Sequence, residues 1–265
     1  MLTVDLDKLG LAPGQICLDV GCGEGRHTLA TYLMDSVLAV GVDLCERDLA
    51  TAKGRIEDMQ PHAPKGVVGF AAGDATSLPV ANETVDVVIA SEILEHIPNY
   101  LSVLEEAMRV LKPGGRLCVS VPRQWPEWIC WQLSEEYRTT PGGHIRIFDS
   151  THLRREIQQQ GFRYVDRGSA HALHAPYWWL KCLFWKREQE PWVVRAYHRL
   201  LVWDLMHRPW LTRIFDALLN PILGKSIVLY FIKPALDDLA SRGAVTCMRR
   251  FLPLACFPKN GCDLR

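Results

Sequence analysis

The segment LDVGCGEGRH, Leu18 to His27, runs from an apolar strand into three glycines at alternate positions, Gly21, Gly23 and Gly25, and then turns helical. Without a Cβ the backbone can turn sharply at Gly21 and let a ligand lie against Gly23 and Gly25. Amide groups at the start of the helix then point at the ligand's polar atoms. Many tight turns carry similar glycines, so the loop gains meaning from its surroundings. Asp43 closes the run AVGVD about 20 residues later, where doubly wound nucleoside-binding folds place a carboxylate for ribose hydroxyls. A strand-end carboxylate that caps the next helix is the other reading of Asp43. Further on, GDATSLP places Asp74 after a third apolar run, and VDVVIASEILEHIP places Ser91 and Glu92 after a fourth.

Short β-branched runs alternate with helical patterns through the first half, the signature of βα units on a parallel sheet. The runs predict strands at Ile16 to Val20, Val37 to Val42, Val67 to Ala71, Val85 to Ala90, Arg116 to Val121, Phe162 to Gly168 and Ile227 to Ile232. Helices are expected after Gly25, near Glu46, near Leu101 and near Thr151, the last capped by Ser150 or Thr151. Pro122, Trp125, Pro126, Trp128 and Trp131 crowd one stretch, which reads as a loop or lid. The chemistry-bearing residues then fall at the carboxyl ends of parallel strands, where open α/β sheets bind ligands.

Hydrophobic residues make up 48% and charged residues 23% of the chain, a balance that allows a full core. Thirty basic side chains cancel thirty acidic ones, so there is no general field for nucleic acid, and a nucleic-acid partner is not expected. The nine cysteines contain no C-x-x-C pair, against both a zinc knuckle and a disulfide scaffold. The N-terminus shows no basic start followed by an apolar stretch, and no uninterrupted apolar run reaches about 18 residues. A cytoplasmic protein is expected, with peripheral membrane contact as an added possibility of its aromatic segment.

The motifs LDVGCGEG, VGVD, GDATSLP, VDVVIASEILEHIP and LKPGG stand in an order that resembles the class I S-adenosylmethionine (SAM) dependent methyltransferases. Within these the chain is similar to the methyltransferase type 11 group with the quinone-biosynthesis enzymes. The resemblance implies a Rossmann-like α/β fold with a seven-stranded sheet, mostly parallel, whose last strand is antiparallel. It also implies SAM as cofactor, with Asp19, Gly21, Gly23 and Gly25 around the methionine part. Asp43 takes the ribose with Leu44 beside it, Asp74 and Ala75 lie near the adenine, and Ser91 stands at the mouth. An NAD-dependent oxidoreductase would also want a glycine loop and an acidic strand end, but the G-x-G-x-G spacing and LKPGG argue against it.

Methyl transfer from a sulfonium is an in-line displacement, so positioning supplies most of the rate and a base adds to it. His96 and His144 are the candidate catalytic residues, because imidazole titrates near neutrality. Glu92, Glu95 and His96 form E-x-x-E-H, and His144 sits in GGHIRIF. Ubiquinone-pathway O-methyltransferases and small-RNA 3′-end methyltransferases look similar here, which implies Glu92, Glu95, His96 and His144 as candidate ligands of a divalent cation. A packed, hydrogen-bonded His96 is the alternative. His171 and His174 in AHALHAPYWW are spaced for one helix face, a strand ending just before them is the equal alternative, and surface or loop positions are the remaining reading.

The domain plan is a SAM-binding unit of residues 1–175 and 225–240, an aromatic helical insertion or substrate cap at 176–224, and a loosely structured tail at 241–265. Six tryptophans of that insertion, Trp178, Trp179, Trp185, Trp192, Trp203 and Trp210, alternate with basic residues. They would pack on the sheet, line a pocket for a hydrophobic or lipidic acceptor, or lie on a membrane surface. The expected activity is transfer of a methyl group to a small or lipidic acceptor, most simply at oxygen. Carbon or nitrogen acceptors, and a non-catalytic SAM-binding partner in a biosynthetic complex, are the alternatives.

Overall fold

The computed structural model describes residues 2–34, 36–59, 66–207 and 209–235. The tail expected at 241–265, and residues 236–240 of the expected SAM-binding unit, lie outside them. Seven strands form one sheet: β1 (Ile16–Val20), β2 (Leu38–Asp43), β3 (Val67–Ala72), β4 (Val85–Ser91), β5 (Leu111–Pro122), β6 (Arg163–Ala170) and β7 (Ser226–Ile232). Their order is β3-β2-β1-β4-β5-β7-β6. β7 runs antiparallel to both neighbours, and the remaining pairs are parallel. The order reverses between β1 and β4, so the crevice outside their carboxyl ends is the switch point at which such sheets take ligands.

Side-chain alternation along the central strands divides the core. Val88 and Ala90 of β4 join Leu18, Val20, Leu117 and Val119 in one cluster, whereas Val87 and Ile89 join Cys17, Cys118, Val228 and Tyr230 in another. This is the period-2 geometry of strands buried on both faces. The first face is closed by α3 (Tyr100–Val110), through Val103, Leu104 and Ala107, and by α6 (Ser150–Gln159), through Leu153 and Ile157. On the second face Val4 and Leu9 of the N-terminal segment pack against the sheet. The helices α1 (Arg26–Tyr32) and α2 (Glu46–Met59) follow β1 and β2.

The structure departs from the sequence expectations in three places. The stretch read as a loop or lid is a helix, α4 (Gln124–Leu133), followed by α5 (Glu135–Thr139). Pro126 falls in the first turn of α4, where its missing N–H breaks no helical bond. The cap of α6 is Asp149, whose side chain accepts from the His152 amide, rather than Ser150 or Thr151, which lie inside the helix. β5 begins five residues early, at Leu111, because LKPGG extends the strand and is tied to the chain after β7: Gly114 N–H donates to Lys233 O, and Lys233 N–H to Gly115 O. Between β6 and β7 stand α7 (His174–Leu183), α8 (Trp192–His207) and α9 (Trp210–Leu223), the helical insertion expected there.

Candidate functional site

The glycine loop leaves β1 and turns into α1 with Gly21, Gly23 and Gly25 all at positive φ. A Cβ on Gly21 would stand 2.2 Å from Ile93 Cδ1 and one on Gly25 2.9 Å from Phe70 Cζ, whereas a Cβ on Gly23 would meet nothing within 4 Å. Two of the glycines are therefore demanded by the protein's own packing, and Gly23 faces open space. The loop is pinned from outside by Gly21 N–H donating to Val42 O. Beneath it Asp19 is buried and accepts from both the amide and the hydroxyl of Thr28. Burial pushes its pKa up to about 6 against the pull of those two hydrogen bonds.

Asp43 reaches across from β2. One carboxylate oxygen accepts from Gly23 N–H at 2.7 Å and the other from Cys45 N–H at 2.8 Å. Each oxygen keeps acceptor capacity for a further donor. A cavity of about 480 Å³ opens over this carboxylate, with Leu44, Ala75, Ile93 and Ile97 as apolar walls and His96 at its edge. Asp74, expected beside it, lines neither this cavity nor the next. It is exposed, and its Oδ1 accepts from the amide and hydroxyl of Thr76 in a local turn.

A second cavity, of about 900 Å³, continues past Gly21, Gly23 and Ser91 to apolar walls that include Leu2, Leu29 and Leu205. Glu92 lines both cavities. Its φ of 55° lies in the left-handed region, at a cost on the order of 1–3 kcal/mol that the surroundings must sustain. Ser120 does so: its carbonyl accepts from the Glu92 amide, and its hydroxyl, shared with Ser91, donates to Glu92 Oε1.

Behind this junction stand His96 and His144, ring centroids 5.1 Å apart. His96 Nδ1 is hydrogen-bonded to Gly143 O and His144 Nδ1 to Glu127 Oε1 at 2.6 Å, which leaves Nε2 of each ring unspent. Glu127, on α4, is 2% exposed and also accepts from Tyr137 OH. Its burial raises its pKa, but these hydrogen bonds and the charge of His144 outweigh that and hold the carboxyl below its usual range. Glu95 is fully buried with neither carboxylate oxygen hydrogen-bonded, and burial beside Glu92 raises its pKa well above the usual range. His96 is lowered by burial and by His144. Ligand atoms of Glu95, His96 and His144 lie within 4.8 Å of one another; Glu92, the fourth expected ligand, is outside the group. His144 lines neither of these cavities.

Sequence reasoning missed Glu127, Ile93 and Ile97. The apolar pair belongs to a motif read for its charged residues, and Glu127 is hidden among tryptophans in a stretch read as loop. β6 ends at Ala170, just before His171, and α7 opens at His174, so the reading in which a strand ends there holds, while both side chains turn inward rather than to the surface. His171 is buried at a positive φ of 67° and its Nε2 meets Thr3 Oγ1 at 3.0 Å.

Residues 18–119 match the family described as Methyltransferase domain. The stretch is similar to a methyltransferase domain. It holds the glycine loop, Asp43, Glu92 and His96, while His144 and Glu127 follow it. Among curated relatives, the 27-O-demethylrifamycin SV methyltransferase of Amycolatopsis mediterranei is 35% identical over 42% of this chain and 40% of its own. The demethylmenaquinone methyltransferase of Lactococcus lactis is 35% identical over 42% of this chain and 44% of its own. The chain thus spans less than half the length of these relatives. A SAM-dependent methyltransferase structure from Aquifex aeolicus shares the fold at a TM-score of 0.53 and 15% identity, over 86% of this chain and 87% of its own. The matched stretch contains the β1–β4 switch point, and the helices α4 to α9 follow it in the chain.

Proposed function

We propose that this chain transfers the methyl group of SAM to a small or lipidic, hydrophobic acceptor at oxygen, releasing S-adenosylhomocysteine. The observation that carries the reading is the cavity over Asp43: a carboxylate with acceptor capacity left on both oxygens, under apolar walls wide enough for a purine. Asp43 holds the two ribose hydroxyls, with Leu44 and Ala75 against the nucleoside, and Gly23 gives the methionine part room to lie on the backbone. Asp19 anchors the first turn of α1 through Thr28, and Ser91 lines the larger cavity beside Glu92. The methyl group then faces the larger cavity beside Glu92, where apolar walls exclude water from the line of attack.

Residues 1–175 with 225–235 form the cofactor unit in this reading, and 176–224 form a cap on the acceptor side, since Leu205 of α8 lines the larger cavity. The cap's outer face supports peripheral membrane contact, for Trp192, Trp203, Met206, Trp210, Leu218 and Ile222 are all 45% exposed or more. No helix of the described residues is long and apolar enough to cross a membrane.

The donor set of Glu95, His96 and His144 fits a divalent cation. Both carboxylate oxygens of Glu95 are buried without a partner, and each histidine is anchored through Nδ1 with Nε2 left over, the outer-shell pattern of ligating imidazoles. A cation held there would lower the pKa of an acceptor hydroxyl. Without a cation, His96 Nε2 at the edge of the cavity would be the group that takes the hydroxyl proton, and Glu127 fixes the orientation of His144.

Isothermal titration with SAM and with S-adenosylhomocysteine tests the reading. Micromolar binding of both is expected. Asp43→Ala should weaken it about 100-fold, the equivalent of one or two charge-assisted hydrogen bonds; unchanged affinity overturns the ribose assignment. Removal of divalent cations by EDTA should lower turnover and leave SAM affinity as it was. Turnover indifferent to EDTA and to added Mg²⁺ would remove the cation.

A further inference from the structure

A third cavity, of about 170 Å³, adjoins the other two through Glu92 and is also lined by Thr3, Arg26, His171, His174 and Lys225. Its charges do not balance. Arg26 and Lys225 form no ion pair or side-chain hydrogen bond among the described residues, and Lys225 Nζ rests 5.3 Å from the centroid of the Trp178 ring. Among the lining residues these two cations face the one Glu92 carboxylate, with Asp19 acting on Arg26, and Glu95 and Glu127 on Lys225, from outside the cavity. The imidazoles are neutral: burial holds His171 down at about 3 and also lowers His174, with Lys225 adding to the effect at both and Asp216 and Asp204 opposing it at His174. His174 Nδ1 is buried without a hydrogen-bond partner. His171 is kept in a left-handed conformation at the rim, a strain that persists only where the surroundings impose it.

Position separates this cavity from the cofactor. Neither Gly21 nor Gly23 lines it, and apart from Arg26 and Glu92 every lining residue lies outside residues 18–119. Unpaired cations, a free imidazole nitrogen and a hydroxyl around a space of this size match a carboxylate or a phosphate monoester. We propose that the cavity binds an acidic group of the methyl acceptor, which makes the acceptor an anionic amphiphile: its acid here, its reacting atom beside Glu92, and its apolar remainder along Leu2, Leu29 and Leu205. The inference rests on the proposed methyl transfer beside Glu92.

Inorganic phosphate is the probe. At pH 7 it should move the imidazole nitrogen resonances of His171 and His174 saturably, with a dissociation constant in the millimolar range. Lys225→Met should weaken that response at least tenfold, and Lys225→Arg should restore it. SAM affinity, measured by calorimetry with and without saturating phosphate and in both variants, should stay within twofold. Resonances that phosphate does not move overturn the proposal, and so does a response that Lys225→Met leaves intact. Phosphate that competes with SAM overturns it too, because the cavity would then hold the carboxylate of the cofactor. If Lys225→Met does not fold, the wild-type titration and the competition with SAM decide the matter. Failure of the wild type to bind SAM at all refutes the methyl-transfer reading instead, and the phosphate titration is read independently of it.

Discussion

Gly21 and Gly23 look alike in the sequence and are held to different accounts in the structure. A methyl group at Gly21 would overlap Ile93, so Gly21→Ala should lower thermal stability by several degrees, through both the clash and the left-handed backbone. At Gly23 the space is empty. Gly23→Ala should fold with a loss of about 1–2 kcal/mol from its positive φ, yet lose SAM binding, because its methyl group occupies ground reserved for the cofactor. Thermal melts with and without SAM read both effects. If Gly23→Ala still gains stability on adding SAM, the cofactor does not lie against that residue. Glu127 is the complementary case, a residue that touches no ligand. Glu127→Gln keeps the shape and removes the charge that orients His144, so turnover should fall about 10–100-fold, the usual cost of losing such a support, with SAM affinity unmoved. The pattern of E-x-x-E-H pointed to His96 and Glu95 in advance. Nothing local pointed to Glu127, because its partner lies 17 residues away and the pairing exists only once α4 is folded.

Elements whose side chains repeat every second residue, or one helical turn apart, were legible at the outset. The strands β1, β2 and β4 fell within a residue or two of their expected bounds because burial on both faces forces continuous β-branched runs. α4 was not, since proline carries helix-breaking statistics that the first-turn position of Pro126 cancels. The helices α8 and α9 illustrate a different limit: periodicity shows that a helix exists but not what it rests on. α9 has no buried residue, and Trp210, Leu211, Ile214, Phe215, Leu218 and Ile222 stand exposed along it. Its acid Asp216 and the Asp204 of α8 are drawn inward to Leu173 N–H and Thr212 Oγ1, while Arg195, Arg199 and Arg213 are exposed. The pair therefore presents cations and tryptophans together, the composition of a helix lying in an anionic lipid interface. Flotation with phosphatidylglycerol vesicles should carry the protein upward, neutral vesicles should carry less, and a Trp203→Ser, Trp210→Ser double variant should remain below. Protein that stays in the soluble fraction with either lipid would count against membrane contact.

Across the whole molecule the N-terminal segment is fastened by histidines acting as acceptors and partners, alongside the exposed Lys8–Asp166 ion pair. His27 Nε2 faces the amides of Thr3 and Val4, His171 meets Thr3 Oγ1, and Asp5 N–H donates to Tyr230 OH on β7. Burial brings His27 and His171 both to about 3. Because the unfolded chain takes up these protons near pH 6.5 and the folded one does not, their contribution is whole above that pH and is lost as pH falls, about 2 kcal/mol each at pH 5. Asp19 has the opposite sign, its raised pKa returning about 1 kcal/mol over the same interval. Urea midpoints at pH 7.5 and 5 should show the histidines prevailing. His171→Asn, which tolerates the left-handed backbone, should shrink the difference by about 2 kcal/mol; an unchanged difference would mean that His171 is protonated in the fold. A last consequence follows from Glu92, the residue common to all three cavities. Because all three meet at this one side chain, a single synthetic molecule joining adenosine to an acidic amphiphile could reach all three. Each half would then see the other at an effective concentration on the order of millimolar, so an inhibitor assembled from two weak fragments should bind far more tightly than either.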